Sequence, residues 1–372
     1  VIIYYTSDCT YYIGGIEMAK RRLGFGIIGC GMIAEYHVSA LEDLHEKAKI
    51  IGVADPVRDS AERLAGRHGL KVFDSTEALL NSKDVDVVCI CTPSGYHAEN
   101  IIAASNAGKN VVVEKPMAIT KEQLDAINEC CRKNGTVLSV ISQIRFARDI
   151  RRAKFAISEG ELGRIVTADM YMKYNRSQEY YDSGAWRGTW KLDGGGALMN
   201  QGIHGVDLLQ YLAGDVVSVF GVAKTLSRHI EVEDTLSAVI EFQSGAIGVI
   251  QATTSVYPGY PRRLEINGDN GTIVVEETAI TKMDIAGSKT EDITIRPSFA
   301  TSASSANAIN ADYHTAQLND VIDAIKEHRA PAVDIVEGRK AVDIILAIYR
   351  SAREGRKVYI EELNPKPNKL FC

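Results

Sequence analysis

The sequence predicts an α/β protein with two units: a doubly wound parallel sheet, then an α+β unit with an open, largely antiparallel sheet. In the first part of the chain, short apolar runs alternate with helical segments, whereas long segments after Gly163 alternate apolar with polar residues. A length of 372 residues agrees with two units, because a single domain usually holds about 100–200 residues.

The first unit contains apolar runs with the length and composition of strands buried on both faces. These runs are rich in Val and Ile: Leu23–Gly29, Ile50–Ala54, Val85–Cys91, Asn110–Val113 and Thr136–Ile141. Between them, apolar residues recur three and four positions apart, which predicts helices at Met32–Glu46, Arg58–His68, Thr76–Asn81, Tyr96–Ala107 and Lys121–Lys133. This alternation is typical of right-handed βαβ units in a parallel sheet.

The second unit contains strict alternation, which predicts strands with one wet and one covered face. The alternating segments are Arg164–Lys173, Val216–Leu226, Thr235–Phe242, Ala246–Thr254, Arg262–Asn267 and Thr272–Glu276. Helices are predicted at about Ala197–Leu212, Asp312–Glu327 and Val336–Arg353. We place the first unit at 23–145 and the second at 146–372, and we expect the last helix to pack back on the first unit.

Two further segments are interpreted from composition. Residues 1–22 form a Tyr-rich extension, of which 1–17 precede an ordinary-looking start at Met18 and need not be native. Ser298–Ala311 is poor in large apolar residues and is expected to be a mobile surface loop.

Composition excludes several classes of function. A formal charge of -6 and a pI of about 5.8 disfavour nucleic acid and anionic membranes as partners. The seven cysteines are an odd set without a C-x-x-C pair, which is typical of free thiols in a reducing cytoplasm. No apolar run approaches the roughly 18 residues of a membrane span, and no cluster has metal-ligand spacing.

The first site motif is G-x-G-x-x-A, formed by Gly29, Cys30, Gly31, Met32, Ile33 and Ala34 between a predicted strand and a predicted helix. Such a turn brings a pyrophosphate close to the backbone and to the positive end of the helix dipole, although glycines in a plain tight turn give the same pattern. Asp55 ends the next strand about 20 residues later, where a carboxylate accepts hydrogen bonds from a ribose. The motif therefore predicts binding of NAD. NADP is less favoured because the Asp55 carboxylate would repel its 2′-phosphate, although the nearby Arg58 could bind that phosphate.

Two other strands end in polar residues at the same predicted edge, where open α/β sheets bind ligands. Thr92, Pro93, Ser94 and His97 follow one strand; a plain turn capped by Ser94 is the structural alternative. Glu114 and Lys115 end a run of valines before Pro116, and a solvated surface lysine is the alternative there. We expect both segments to contact the cofactor.

A second cluster follows the glycine run Gly194–Gly196. Asn200 and His204 are four residues apart and therefore share one face of the predicted helix. The glycines would admit another segment of chain or a ligand at the start of that helix. Taken alone, His204 is more typical of a structural histidine with satisfied hydrogen bonds than of a catalytic one.

Together these motifs resemble the Gfo/Idh/MocA oxidoreductase family. The resemblance rests on the G-x-G-x-x-A turn, on Glu114–Pro116 and on the glycine run followed by Asn200, His204 and Asp207. Segments 158–165 and 347–352 also resemble the family, and the similarity covers about 23–361.

The resemblance implies a Rossmann unit that holds NAD(P) and an open sheet that covers the cleft and often forms an oligomer interface. Family members transfer hydride between the nicotinamide and a carbon of a sugar or polyol, which by position assigns Lys115, His204 and Asn200 to catalysis. A neutral imidazole is a suitable proton acceptor near pH 7, so His204 is the expected general base. The Lys115 ammonium would stabilise an alkoxide. Many relatives carry Asp at position 200, so Asn200 is expected to orient the substrate or the imidazole.

Further contacts are expected around this centre. By resemblance, Gln143 and Arg145 meet nicotinamide or substrate. Trp186 and Trp190 could stack on a sugar and Arg187 could bind a carboxylate or phosphate, the alternative being a packed loop at a subunit contact. Tyr174 and Tyr257 are candidates only by their places at strand ends.

The expected protein is a cytoplasmic NAD-dependent dehydrogenase that oxidises a secondary hydroxyl of a sugar, glycoside or polyol to a ketone, with C3 of a pyranoside as one candidate position. Three alternatives remain open: a nucleotide-sugar (uronate) 3-dehydrogenase, a redox-assisted glycoside-processing enzyme that retains its NAD, and an NAD-binding sensor without turnover. A homo-oligomer, dimer or tetramer, through the open sheet is also expected.

Overall fold

The computed structural model describes residues 21–287 and 311–363. The predicted extension at 1–17 lies outside these residues. So does the predicted surface loop, except for Ala311, which begins a helix. Within the described residues, the chain forms a five-stranded sheet and an eight-stranded sheet, with helices around both.

The first sheet is fully parallel and confirms the predicted doubly wound unit. Its strand order is β2-β1-β3-β4-β5. The strands are β1 (Leu23–Ile28), β2 (Ala48–Ala54), β3 (Val87–Ile90), β4 (Asn110–Val113) and β5 (Leu138–Val140). The helices of this unit are α1 (Met32–Asp43), α2 (Arg58–His68), α3 (Thr76–Leu80), α4 (His97–Asn106) and α5 (Lys121–Asn134). Every residue of β1 and β3 is buried, because helices cover both faces of the sheet.

The second sheet has strand order β12-β11-β10-β6-β9-β8-β7-β13, and its pairs are antiparallel except β6 with β9. Its strands are β6 (Ile165–Asn175), β7 (Val216–Lys224), β8 (Thr235–Phe242), β9 (Ile247–Thr253), β10 (Ser255–Gly268), β11 (Gly271–Glu276), β12 (Ala279–Ile285) and β13 (Val358–Tyr359). The sequence missed two of them. β12 has little contrast in burial between its faces, and β13 has only two residues.

The helices of the second part are α6 (Arg148–Ser158), α7 (Gln178–Asp182), α8 (Ile203–Ala213), α9 (Ala311–Glu327) and α10 (Ile335–Glu354). Neither α6 nor α7 was predicted, since α6 is highly charged and buries only Ile150, Ala153 and Ala156. The predicted helix at Ala197–Leu212 is confirmed in place but not in form. Its first six residues, Ala197–Gly202, form a π-helix that continues into α8.

The two closing helices connect the units. Helix α9 packs against α1 of the first unit, with Leu318, Val321 and Ile322 buried in the same apolar cluster as β1. The last helix, α10, lies mainly on β7 and α8 and also contacts β5. Among the described residues, no helix is both long enough and apolar enough to cross a bilayer.

Candidate active site

A cleft of about 1370 Å³ lies between the two units, along the carboxyl ends of the parallel strands. The first unit lines it with the turn after β1 and with residues that follow β2, β3, β4 and β5. The second unit lines it from the opposite side with residues near β6, α8 and β10. The edge predicted to bind a ligand is therefore the edge that faces the second sheet.

The glycine turn at the start of α1 has the geometry of a pyrophosphate site. Gly29 has φ of 89°, and a Cβ there would lie 2.7 Å from the backbone of Cys91 and Thr92. Gly31 faces the cleft, and no described atom lies within 4 Å of the position a Cβ would take. No described side chain caps α1, so its first amides remain available to an anion.

The Asp55 carboxylate is held in place in the cleft, directly after β2. Its Oδ2 accepts a hydrogen bond of 2.7 Å from the backbone amide of Cys30, and its Oδ1 accepts one of 2.7 Å from Val57. The exposed Arg58 guanidinium donates to Glu62 at 2.8 Å and to Asp74 at 3.2 Å. Because two carboxylates already face Arg58, the arrangement suits a free ribose better than a 2′-phosphate.

Two buried side-chain oxygens lie at the cleft near the ends of β3 and β5. Thr92 Oγ1 and Gln143 Oε1 have no partner within the described part of the chain. Both residues line the cleft together with Pro93 and Ser94. Unpaired buried acceptors are costly, so these positions fit a ribose hydroxyl and a carboxamide of the predicted cofactor.

Lys115 and Asn200 belong to different units and meet in the cleft. The Lys115 Nζ donates to the backbone oxygen of Asn200 at 3.0 Å. The Asn200 amide in turn donates to Asp193 Oδ1 at 2.6 Å, and Asp193 Oδ2 accepts from the Gly188 amide at 2.9 Å. The sequence analysis missed Asp193, although it directly precedes the glycine run.

Burial changes the protonation behaviour of this centre. Burial lowers the pKa of Lys115, and the nearby Glu114 and Asp193 carboxylates oppose that effect. Burial raises the pKa of Asp193 to about 6. The pKa of His204, which lines the cleft, is well below its usual range because of burial and then because of Lys115 and Arg262. His204 is therefore neutral near pH 7 and able to accept a proton.

The glycine run is explained by packing within the chain. A Cβ on Gly195 would lie 2.2 Å from the Tyr349 hydroxyl, and one on Gly196 would lie 1.8 Å from the Glu233 backbone oxygen. The amide of Gly196 and that of Leu198 donate to the buried Glu233 carboxylate. The sequence left open whether a segment of chain or a ligand lies against these glycines. In the structure, the segments that contain Glu233 and Tyr349 lie there.

Several predicted site residues have other partners. The buried Arg145 guanidinium binds Asp207 at 2.6 Å and Glu337 at 2.9 Å, which turns it away from the cleft. The imidazole of His97 contacts the backbone oxygens of Pro116 at 2.6 Å and Thr92 at 2.8 Å, so it tethers the two loops from behind.

Three more predicted side chains lie away from the cleft. The Trp190 ring packs edge-on against Tyr349, and its indole donates to the Glu231 backbone oxygen at 3.1 Å. Tyr257 is 86% exposed on β10. Cys30 contributes its backbone amide, while its thiol is buried with a pKa raised to about 12, chiefly by burial.

The second unit adds lining residues that the sequence analysis did not single out. Arg187 and Tyr174 line the cleft as predicted, with the Arg187 guanidinium 4.4 Å from the Trp186 ring and bonded to the Tyr180 hydroxyl at 2.7 Å. The additional members are polar or aromatic: Arg176, Tyr180, Gln201, Arg262, Glu276, Glu277 and Thr278. Arg176 follows β6, and Glu276, Glu277 and Thr278 lie at or just after the end of β11, positions that period-2 patterning does not distinguish from an ordinary loop.

Comparisons with known proteins agree with this geometry. The model for an oxidoreductase family with an NAD-binding Rossmann fold matches residues 23–142, and the GFO/IDH/MocA C-terminal domain matches residues 150–274. The WlbA dehydrogenase of Bordetella pertussis, solved with NADH and UDP-GlcNAcA, is 33% identical with a TM-score of 0.81. That similarity covers 91% of this chain and 99% of that one.

Two curated relatives are similar over nearly their whole length. The scyllo-inositol 2-dehydrogenase (NAD(+)) of Bacillus subtilis is 27% identical over 92% of this chain and 97% of the relative. The D-glucoside 3-dehydrogenase of Escherichia coli is 26% identical over 92% of this chain and 98% of the relative. Sequence, fold and cleft agree: the chain belongs to the Gfo/Idh/MocA family of NAD-binding oxidoreductases.

Proposed function

We propose that the protein is an NAD-dependent dehydrogenase that oxidises a secondary hydroxyl of a sugar to a ketone. The observation that carries the proposal is that Lys115 and His204 line one cleft from different units, with Lys115 Nζ 3.0 Å from the backbone oxygen of Asn200, four residues before His204. A sensor has no need for a neutral imidazole beside a buried ammonium. Residues 23–145 would hold the cofactor and residues from 146 onward the substrate.

Each side chain has one task in the proposed reaction. Nicotinamide, when bound, supplies the hydride acceptor. His204 accepts the hydroxyl proton, because hydride cannot leave the carbon while the oxygen keeps that proton. Lys115 stabilises the negative charge that develops on the same oxygen. Asp193 and Asn200 hold this pair in place, with Asp193 supplying the carboxylate that many relatives carry at position 200.

The substrate end favours a pyranoside with an acidic group. The Arg187 guanidinium lies over the Trp186 ring, and both residues line the cleft, which suits a sugar that carries a carboxylate or phosphate. The relative solved with UDP-GlcNAcA and the relative named for glucoside 3-oxidation support a nucleotide-linked uronate, oxidised at C3. Neutral glycosides and inositols are the second candidates.

Reduction of NAD by a panel of nucleotide sugars, uronates, glycosides and inositols tests this function. We expect stoichiometric NADH, followed by absorbance, with acidic pyranosides the best substrates. The spectrum of the fresh protein is recorded before substrate is added. Transformation of a glycoside without net NADH would favour an enzyme that recycles its NAD, and binding of NAD without turnover of any sugar would favour the sensor.

We also propose that the protein is a homo-oligomer, dimer or tetramer, joined through the open face of the second sheet. Phe220, Val239 and Val249 form a cross-strand row on β7, β8 and β9, and Phe220 and Val239 are 46% and 53% exposed. Val222 and Ile247 extend this apolar face. Exposed apolar patches of this kind mark interaction surfaces.

Substituting Val239→Lys should break this assembly, because it places a charge at the centre of the buried face. Light scattering should give a multiple of 40.6 kDa for the parent and 40.6 kDa for the variant. Asn81→Lys, at an exposed position of the first unit away from this sheet, is the control and should leave assembly unchanged. A parent that is monomeric at micromolar concentration would contradict the proposal.

The free thiols among the described residues support the proposed cytoplasmic location.

A further inference from the structure

A buried cluster of two imidazoles and one carboxylate lies beneath the cleft. His37 of α1 and His314 of α9 have no exposed surface, and Glu114 at the end of β4 is 6% exposed and lines the cleft. Glu114 Oε1 is 3.1 Å from His37 Nε2 and 3.5 Å from His314 Nε2. Three elements of the fold therefore meet on one carboxylate oxygen, which sequence spacing could not show.

The same three side chains could form a ligand set for a transition metal, since their ligand atoms lie within 4.8 Å of one another. Imidazoles that bind a metal usually donate their second ring N–H to a carbonyl or carboxylate. Here the Nδ1 atoms of His37 and His314 have no hydrogen-bond partner among the described residues. The geometry instead matches a carboxylate held by a hydrogen bond from His37 and a longer contact from His314.

The cluster lies at the nicotinamide end of the cofactor cleft. Gly31 and Asp55 mark the pyrophosphate and adenosine positions, so a dinucleotide extended along the sheet edge has its nicotinamide half over β3, β4 and β5. Glu114 and Lys115 both end β4 there, and Gln143 follows β5. If the protein is the dehydrogenase proposed above, Glu114 is therefore the carboxylate at the end of β4 that faces the nicotinamide ring of the cofactor.

We propose that Glu114, held as a fixed anion by the positioning residues His37 and His314, favours the oxidised over the reduced cofactor in this cleft. The nicotinamide ring is positively charged in NAD+ and neutral in NADH, so an anion nearby stabilises only the oxidised form. Lys115, Arg187 and Arg262 also line the cleft and would repel NAD+. The negative charge of Glu114 offsets that repulsion, and the Lys115 ammonium remains available to contact the substrate oxygen.

The contacts explain why Glu114 stays ionised although it is buried. Burial by itself acts to raise its pKa, yet the contacts with His314 and His37 hold the pKa of Glu114 well below its usual range. The Oε2 atom also accepts a weak bond of 3.3 Å from the Lys115 amide. Hydrogen bonds to the charged form of an acid stabilise that form.

The test is the ratio of the dissociation constants of NAD+ and NADH, measured by calorimetry on the purified protein without substrate. Glu114→Gln should weaken NAD+ binding about tenfold and change NADH binding less than about threefold. A role confined to folding would weaken both cofactors equally. Glu122→Gln, which removes an exposed carboxylate of α5 outside the cleft, is the control and should leave the ratio unchanged.

The histidines supply an independent test if Glu114→Gln does not fold. His314→Leu should shift the ratio in the same direction, and His314→Gln, which retains an N–H at the place of Nε2, should restore it. An unchanged ratio in Glu114→Gln or His314→Leu overturns the inference but leaves the proposed dehydrogenase intact. A stoichiometric metal in the parent that is lost in His314→Leu also overturns it. Absence of NAD+ and NADH binding in the parent would overturn both proposals.

Discussion

Replacement of Lys115 by methionine should lower kcat by about 10²–10³-fold while the protein still binds NAD. Methionine keeps most of the apolar stem of lysine but has no charge with which to stabilise the alkoxide. Lys115 Nζ lies 3.0 Å from the Asn200 backbone oxygen, within the part of the cleft that His204 also lines. Loss of this ammonium therefore removes an interaction that grows as hydride leaves, and kcat should fall more than KM rises. Steady-state kinetics with the best sugar from the panel measure this.

Lys121→Met is the matched control for that experiment. Lys121 begins α5 only six residues after Lys115, but its ammonium binds Asp125 on the protein surface. The control should retain full activity and full NAD affinity. Retention of more than a tenth of the parent kcat in Lys115→Met would remove Lys115 from the reaction, and loss of NAD binding would assign it to the cofactor site instead.

The parallel sheet and the cofactor turn could be predicted from sequence because both are local patterns. A strand buried on two faces is apolar at every residue. Gly29 is required where the backbone has φ of 89° and a Cβ would lie 2.7 Å from the backbone of Cys91 and Thr92, and Gly31 leaves space in the cleft. Helix α2 was predicted at its observed bounds, Arg58–His68, for the same reason. Such a pattern determines the secondary structure of its own segment, and no contact with the rest of the fold is needed to recognise it.

Arg145 and Trp190 show why some side chains of the site could not be assigned. Both lie in segments next to the cleft, yet Arg145 is satisfied by Asp207, which is 62 residues away, and Trp190 packs on Tyr349. The orientation of each side chain is set by a partner distant in sequence, and no local pattern records that partner. The cluster around Glu114 was missed for the same reason, since His37 and His314 approach it from opposite ends of the chain.

Asp193 gives the departure at Asn200 a physical meaning. The family resemblance implies a carboxylate at this position, and an amide cannot carry its charge, but Asn200 donates to Asp193 Oδ1 at 2.6 Å. The carboxylate is thus retained in the cleft on the neighbouring loop, where it acts on the Lys115 ammonium. The sequence alone shows an amide in place of a carboxylate at position 200, whereas in the fold Asn200 forms a hydrogen-bonded pair with the Asp193 carboxylate.

Substitution of His204 by glutamine should lower kcat/KM by about 10²–10⁴-fold over the whole accessible pH range. Glutamine has a similar size and can still hydrogen-bond the hydroxyl, but it cannot accept the proton. In the parent, burial and then Lys115 and Arg262 hold the pKa of His204 well below its usual range. Titration of His204 is therefore not expected to produce the acid limb of the pH profile.

The acid limb of the parent pH profile should therefore belong to Asp193, whose pKa burial raises to about 6. Below this pH, protonation removes the negative charge that supports the Lys115 ammonium, so kcat/KM should fall about tenfold to a lower plateau. Above it, the carboxylate is ionised and the rate is independent of pH until Lys115 begins to lose its proton.

Asp193→Asn decides between the two residues, because it mimics the protonated carboxyl at every pH. Its kcat/KM should lack the limb near pH 6 and should equal the low plateau of the parent throughout. Asn200 can still donate to the new amide oxygen, but the amide nitrogen replaces Oδ2 and, like a protonated carboxyl, cannot accept from the Gly188 amide. A circular dichroism spectrum and a melting temperature like those of the parent would show that the loop stays folded and that the change reports charge. A limb near pH 6 that persists in Asp193→Asn would assign it to His204 and would mean that the imidazole titrates close to its ordinary pKa despite its burial.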